Sequence, residues 1–199
     1  LTHEGGEVTG NAAYSPSSRA FRLDFLGKNF DVARIRQIQL QRLPVEGRAD
    51  FSLQGSGTTD APVINAQVRA RDIAFAGELA GAMNFEATTR NGQMQLKGSS
   101  EFSRGSLLIE GTVGMRGGFP AKISARTDNL DVDPLWRAYL GQQLTGHSSV
   151  GGNVTMEGPL RFPAQWAIKG DLSDVAIDVE YTKLHNQGPV RFAYADQRL

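Results

Sequence analysis

The chain has 199 residues, at most one large domain or two small ones, and enough to bury a substantial core. It is 40% apolar and 21% charged, the composition of an ordered protein, and 21 Lys+Arg against 21 Asp+Glu give a formal net charge of zero. That balance argues against a nucleic-acid surface held by bulk positive charge, and the absence of Cys excludes disulfides, a thiol nucleophile and Cys-ligated metal.

The opening Leu1-Thr2-His3-Glu4-Gly5 carries neither a basic nor an apolar leader segment, and it reads as the interior of a longer sequence. The longest apolar run is four residues, Ile73-Ala74-Phe75-Ala76, against the roughly 20 needed to cross a bilayer as a helix. From there the dominant pattern is period two, the alternation of half-buried strands. Ala49/Phe51/Leu53 opens it. Over Ile64 to Arg71 each even position is apolar and each odd one polar. After Asp72 the phase flips to Ile73 and Phe75, so a turn or bulge is predicted there. Met83/Phe85 and Met94/Leu96 follow, joined by Asn91-Gly92, the composition of a tight hairpin turn. Leu107/Ile109, Val113/Met115 and Ala121/Ile123 continue the series, with a Gly117-Gly118 turn before Phe119.

One short helix is expected, with Asp133 as N-cap, Pro134 at its first position, Leu135 to Leu140 as its body and Gly141 beyond its end. Strands resume at Val154/Met156, Trp166/Ile168, Val175/Ile177/Val179 and Val190/Phe192/Tyr194. The prediction is an all-β chain of about a dozen strands in an antiparallel sheet, one face wet and the other dry. Continuous Val/Ile/Leu runs are missing, which argues against a buried parallel sheet.

The chain also resembles itself at a spacing near 100 residues. Asn29-Phe30-Asp31-Val32 returns as Asn129-Leu130-Asp131-Val132, and Phe51-Ser52-Leu53-Gln54-Gly55 as Val154-Thr155-Met156-Glu157-Gly158. Pro62 matches Pro163, and Asp72-Ile73-Ala74-Phe75 matches Asp174-Val175-Ala176-Ile177. The expected organisation is a single elongated segment, 1–199, with copies over about 29–128 and 129–199.

Chemical motifs fail on their own terms. Gly146-His147-Ser148-Ser149-Val150 lacks the closing Gly of a nucleophile elbow, so Ser148 reads as part of a polar turn leading into a strand. Asn129, Asp131 and Asp133 have the alternate spacing of a calcium loop, but Pro134 and Leu140 stand where Gly and Glu are required. His3, His147 and His185 are scattered, and Gly27-Lys28-Asn29 is no phosphate loop. Asp178 and Glu180 read as a solvated strand face. No enzyme, metal or cofactor is expected.

Three stretches carry a family resemblance. They are Gly55-Ser56-Gly57-Thr58 with Pro62 and Asp72-Ile73; Asn129-Leu130-Asp131-Val132-Asp133-Pro134-Leu135; and Gly152-Asn153-Val154-Thr155-Met156-Glu157-Gly158-Pro159-Leu160-Arg161-Phe162-Pro163, with Asn186-Gln187-Gly188-Pro189-Val190-Arg191 downstream. In this order they resemble the repetitive β region of the translocation and assembly module (TamB, AsmA-like) family. The resemblance implies a U-shaped, taco-like β-groove with an apolar interior, in a periplasmic protein anchored in the inner membrane. It further implies an Omp85-class, TamA-like outer-membrane partner, and a role in phospholipid transport or outer-membrane protein assembly. Neither the anchor nor the family's C-terminal domain is recognisable in these residues.

The dry face supplies the candidate groove lining: Phe51, Leu53, Phe85, Leu96, Val154, Met156, Ile168, Ile177 and Phe192, facing acyl chains or amphipathic β-strand clients. Gln54 and Glu157 fall on the wet face. Two other classes stay open: a structural or adhesive surface β-repeat, and a glycan-binding or glycan-cleaving β domain.

Overall fold

The computed structural model describes residues 2–3, 6–35, 45–75, 77–133, 146–179 and 182–195. Alternating sequence and Gly-rich turns produce thirteen strands in one antiparallel sheet. They are β1 (Thr2–His3), β2 (Gly6–Ser15), β3 (Ala20–Asp31), β4 (Val45–Thr58), β5 (Ala61–Phe75), β6 (Glu78–Arg90) and β7 (Gln93–Phe102). Then come β8 (Ser106–Gly114), β9 (Pro120–Asp131), β10 (Gly146–Pro159), β11 (Ala167–Val179), β12 (Thr182–His185) and β13 (Val190–Tyr194). Spatial order follows chain order from β1 to β12, a meander in which every neighbour is also the next strand; β13 pairs with β11 beside β12.

The hairpin at Asn91-Gly92 forms as its sequence predicts, with φ of 51° and 73°, both left-handed, as a two-residue turn matching strand twist requires. The expected helix over 134–140 lies outside the described residues, as do Trp136 and Glu180. Ser148 corrects one expectation. It sits within β10 rather than in a turn before it, is buried, and donates its N–H to Asp133 Oδ1 at 2.5 Å. Strand extension reaches further upstream than the apolar alternation because polar residues pair just as well through their backbones.

The sheet is curved and open. Bulges explain how it bends. Register slips between Gly27 and Phe30 on β3, and between Ala70 and Ile73 on β5, where the phase flip at Asp72 predicted one. A further slip on β9 accommodates Asn129 opposite Val150/Gly152 of β10. Asn29, Asp72 and Asn129 occupy the left-handed region at φ 54°, 52° and 47°, a conformation that Asn and Asp tolerate best among side-chain-bearing residues. Gly105, at φ 78°, lies against the Asn129 carbonyl where a Cβ would collide with the backbone. Each bulge bends its strand, and together the bends on β3, β5 and β9 crease the sheet.

Among the described residues no second layer covers the sheet. Beyond marginal contacts, strands touch only their sheet neighbours and the 3-10 turns at Val32–Arg34 and Pro163–Gln165. The chain exposes 13258 Å², against roughly 9,000 Å² for a compact monomer of its mass. Among the described residues the only fully buried side chain of any size is Val113, at 1% exposure. A closed sandwich of this length would bury a core many times larger.

Candidate functional site

Pairing register places side chains in rows that cross the strands, and two adjacent rows on one face are apolar from edge to edge. The first runs Val8, Gly27, Phe51, Val68, Phe85, Gly98, Ile109, Ala125, Val154, Gly170, Phe192. The second runs Gly10, Phe25, Leu53, Ala66, Ala87, Leu96, Gly111, Ile123, Met156, Ile168, Tyr194. Eight of the nine candidate lining residues fall in these two rows. The ninth, Ile177, pairs with Ser148, and a bulge at Ser173 returns it to the same face as Leu172 and Ile168. All nine are half-buried.

That half-burial has a geometric cause. Each side chain leans on neighbours within the sheet while its outer surface meets no opposing layer. The glycines within the rows take part in this packing. A Cβ on Gly27 would fall inside the Phe51 ring, and one on Gly170 inside the Phe192 ring, so each aromatic lies flat across its neighbour's empty position. Phe30 meets Phe51 edge-on, with centroids 6.0 Å apart at 81°. The result is a smooth apolar floor.

The two ends of the groove differ. At the β8–β9 turn, Val113, Met115 and Ala121 are buried, with Ile64, Met94, Leu96 and Phe119 packed on them. Arg161 lies over the Phe119 ring at 4.8 Å, and the Leu160 N–H donates to the Phe119 carbonyl at 3.0 Å, stapling the β10–β11 connection across this end. Trp166 covers Gly158 and donates Nε1–H to the Pro159 carbonyl at 2.9 Å. At the opposite end, where β5 and β7 finish and β6 and β8 begin, the floor opens into a cavity of about 560 Å³.

The outer face is wet and charge-paired. Glu86, Lys97 and Glu110 are successive cross-strand partners of alternating sign. Lys122 reaches Glu157 at 2.6 Å, Arg191 reaches Asp171 at 3.0 Å and Lys183 reaches Asp178 at 3.4 Å. The hydrogen bond from Lys122, with its charge, lowers the Glu157 pKa. At the crease, Asp50 accepts the Asn29 N–H at 2.8 Å and the Arg71 guanidinium at 2.8 Å, and these bonds hold its carboxyl below the ordinary value. Such exposed pairs are screened by solvent and add little to stability. Their effect is to keep this face in water.

Sequence reasoning missed two assemblies. His147 and His185 both border a polar hollow of about 700 Å³ with Asp178 and Lys183, two strands apart. Among the described residues no three His, Asp or Glu side chains gather as a metal site would require. The larger omission is the apolar cavity, whose lining comes from β5 to β10 and has no local sequence signature. In comparisons with protein-family models, curated proteins and solved structures, the chain matches none.

Proposed function

We propose that this chain is a groove segment of a TamB-like, envelope-spanning protein, which carries phospholipid acyl chains along its apolar face without catalysing a reaction. The observation that supports this most directly is the pair of apolar rows, unbroken from β2 to β13 and uncovered by any of the described residues. Ten strand spacings of about 4.8 Å make that lane about 50 Å long. This exceeds the roughly 30 Å hydrocarbon thickness of a bilayer, so an acyl chain stays in apolar contact from one sheet edge to the other. Each methylene withdrawn from water contributes about 0.8 kcal/mol, which holds a chain on a smooth floor without a specific pocket. The same surface suits the apolar face of an amphipathic β-strand, the client that outer-membrane protein assembly would present.

On this reading the full-length protein is periplasmic and anchored in the inner membrane, and it meets an Omp85-class, TamA-like partner through parts other than these residues. A structural or adhesive repeat has no use for an apolar face left open over eleven strands, where it invites aggregation. Photo-crosslinking amino acids in the full-length protein test the proposal in cells. Probes at Phe85 and Met156 should capture phospholipid, while those at Gln54 and Glu157 on the wet face should not. Equal capture from both faces would refute it.

A further inference from the structure

The strand ends differ in charge as well as in packing. Among the described residues, the connections at the end that carries the β8–β9 turn hold Arg19, Arg90, Arg116 and Arg161 against a single acid, Asp60, which Arg19 pairs with from the neighbouring turn. At the opposite end the signs are mixed, Arg34 pairing with Asp31 and Arg104 with Asp131. Arg90 pairs with Gln93 out of phase with Phe85 and Ala87, and so starts on the outer face. Arg116 and Arg161 remain. Both are exposed, and no ion pair among the described residues reaches either.

These two arginines border the floor. The Phe119 N–H closes the β8–β9 turn onto the Arg116 carbonyl at 3.3 Å, and the Arg161 N–H donates to the Gly118 carbonyl at 3.3 Å, so the two connections form one tied piece. Phe119 lies under the Arg161 guanidinium and packs on the buried cluster that Leu96 of the floor also touches. Leu160 and Phe162 flank Arg161 in the chain and are 41% and 53% exposed. Passing outward along β10 and beyond its end, Val154 and Met156 of the floor give way to Leu160, then to Arg161 and Phe162. Aliphatic floor, then bulky apolar and aromatic side chains, then cations: a phospholipid meets that order from tail to phosphate in the membranes that proteins are built to contact. Arginine suits the phosphate itself, because its planar fork makes two charge-assisted bonds to phosphate oxygens. A free phosphate would make no use of Leu160 and Phe162, and a lipid without a head-group phosphate would leave both guanidiniums without a counter-charge.

We propose that the β8–β9 and β10–β11 connections form a seat for the phosphate of a phospholipid, held by Arg116 and Arg161 while the acyl chains lie on the floor beside Leu96 and Met156. The seat rests on the groove reading and deepens it. It sets which rim of the groove carries the head group, and it makes the substrate class phosphate-bearing lipid rather than diacylglycerol.

The test uses the full chain, incubated with detergent micelles holding equal phosphatidylglycerol and diacylglycerol of matched acyl chains. The protein is then separated from micelles and its bound lipid is extracted and quantified by mass spectrometry. Phosphatidylglycerol should be retained about fivefold over diacylglycerol. Arg116→Glu and Arg161→Glu should each lower that ratio, and the double variant should bring it to about one. Arg90→Glu makes the same charge change at the same end but on the outer face, and should leave the ratio unchanged. Loss of fold lowers both lipids together and so does not mimic loss of the seat, and Arg116 is exposed on a turn outside the Arg161–Phe119 stack. Inorganic phosphate at millimolar concentration should not displace the phosphatidylglycerol. Equal retention of the two lipids, retention of neither, a preference that survives the double variant or is lost in Arg90→Glu, or displacement by inorganic phosphate would each overturn the seat, while crosslinking at Phe85 and Met156 still upholds the groove. Failure of that crosslinking as well would overturn both.

Discussion

At Gly27 the missing side chain is what lets the Phe51 ring lie across β3, and Gly170 does the same for Phe192. Gly27→Ala forces that ring off its resting place, an overpacking cost of about 1–3 kcal/mol. Chemical denaturation should show the loss, and adding Phe51→Leu should recover part of it because the smaller side chain vacates the contested space. Asp50 makes a pH-dependent contribution. Its pKa is lowered, first by the Asn29 N–H and then by Arg71 against a partial desolvation, so it binds its proton more weakly folded than unfolded. The stabilisation is fully present above the ordinary value of about 3.8 and is lost as pH falls through the lower folded value. Urea midpoints taken from pH 5 down to pH 2 should fall less steeply in Asp50→Asn than in the parent chain.

At the scale of elements, the C-terminal edge is one strand interrupted at Asn186. β12 pairs with β11 over Ala176–Val179 and β13 over Ile168–Leu172, on the same side. The bulge at Ser173 leaves backbone groups of β11 between them without a strand partner. Asn186 fills the gap with its side-chain amide, accepting the Val175 N–H at 2.8 Å and donating to the Ser173 carbonyl at 3.1 Å. Asn186→Ala removes both bonds, together with the one its amide donates to the Gly188 carbonyl at 2.7 Å, and should cost about 1–3 kcal/mol. Hydrogen exchange at the Val175 amide should accelerate first, ahead of amides in β5 and β6. Asn186→Asp keeps the acceptor and loses the donor, so its effect should fall between the two.

Across the whole molecule, the absence of a covering layer makes the apolar floor unusually tolerant of charge. Met156 is half-buried between Ile123 and Ile168, its outer surface open to the groove. In a closed sandwich Met156→Arg would bury an unpaired cation and unfold the chain. Here the long side chain can lift its guanidinium into the open groove, so the melting temperature should change by only a few degrees. A passing acyl chain meets a hydrated cation instead, at a cost of several kcal/mol. Cells carrying the full-length variant should therefore lose outer-membrane lipid supply while the protein stays folded. Unfolding of the purified variant would count against an open groove.

Strand identity and facing were legible residue by residue, because period-two alternation is a local property of the backbone. Phe51, Leu53, Phe85 and Met156 could be assigned to one face from their immediate neighbours alone. The bulge at Asp72 was legible for the same reason, as a shift of phase between Ala70 and Ile73; the shift between Leu172 and Val175 carries the same signal. What alternation leaves open is whether a dry face is covered, since that depends on how far thirteen strands curve and on whether any segment returns over them. Curvature comes from the bulges at Asn29, Asp72 and Asn129, whose bends add only after β3, β5 and β9 are joined through the strands between them. The cavity is still less local: Ile73 and His147 are 74 positions apart in sequence and border it together across four intervening strands. The sequence by itself determined the strands, their faces and the wetness of the outer surface. Only the tertiary structure decided that the dry face stays open and where it deepens, because both follow from summed bends and long-range register that no short window of residues contains.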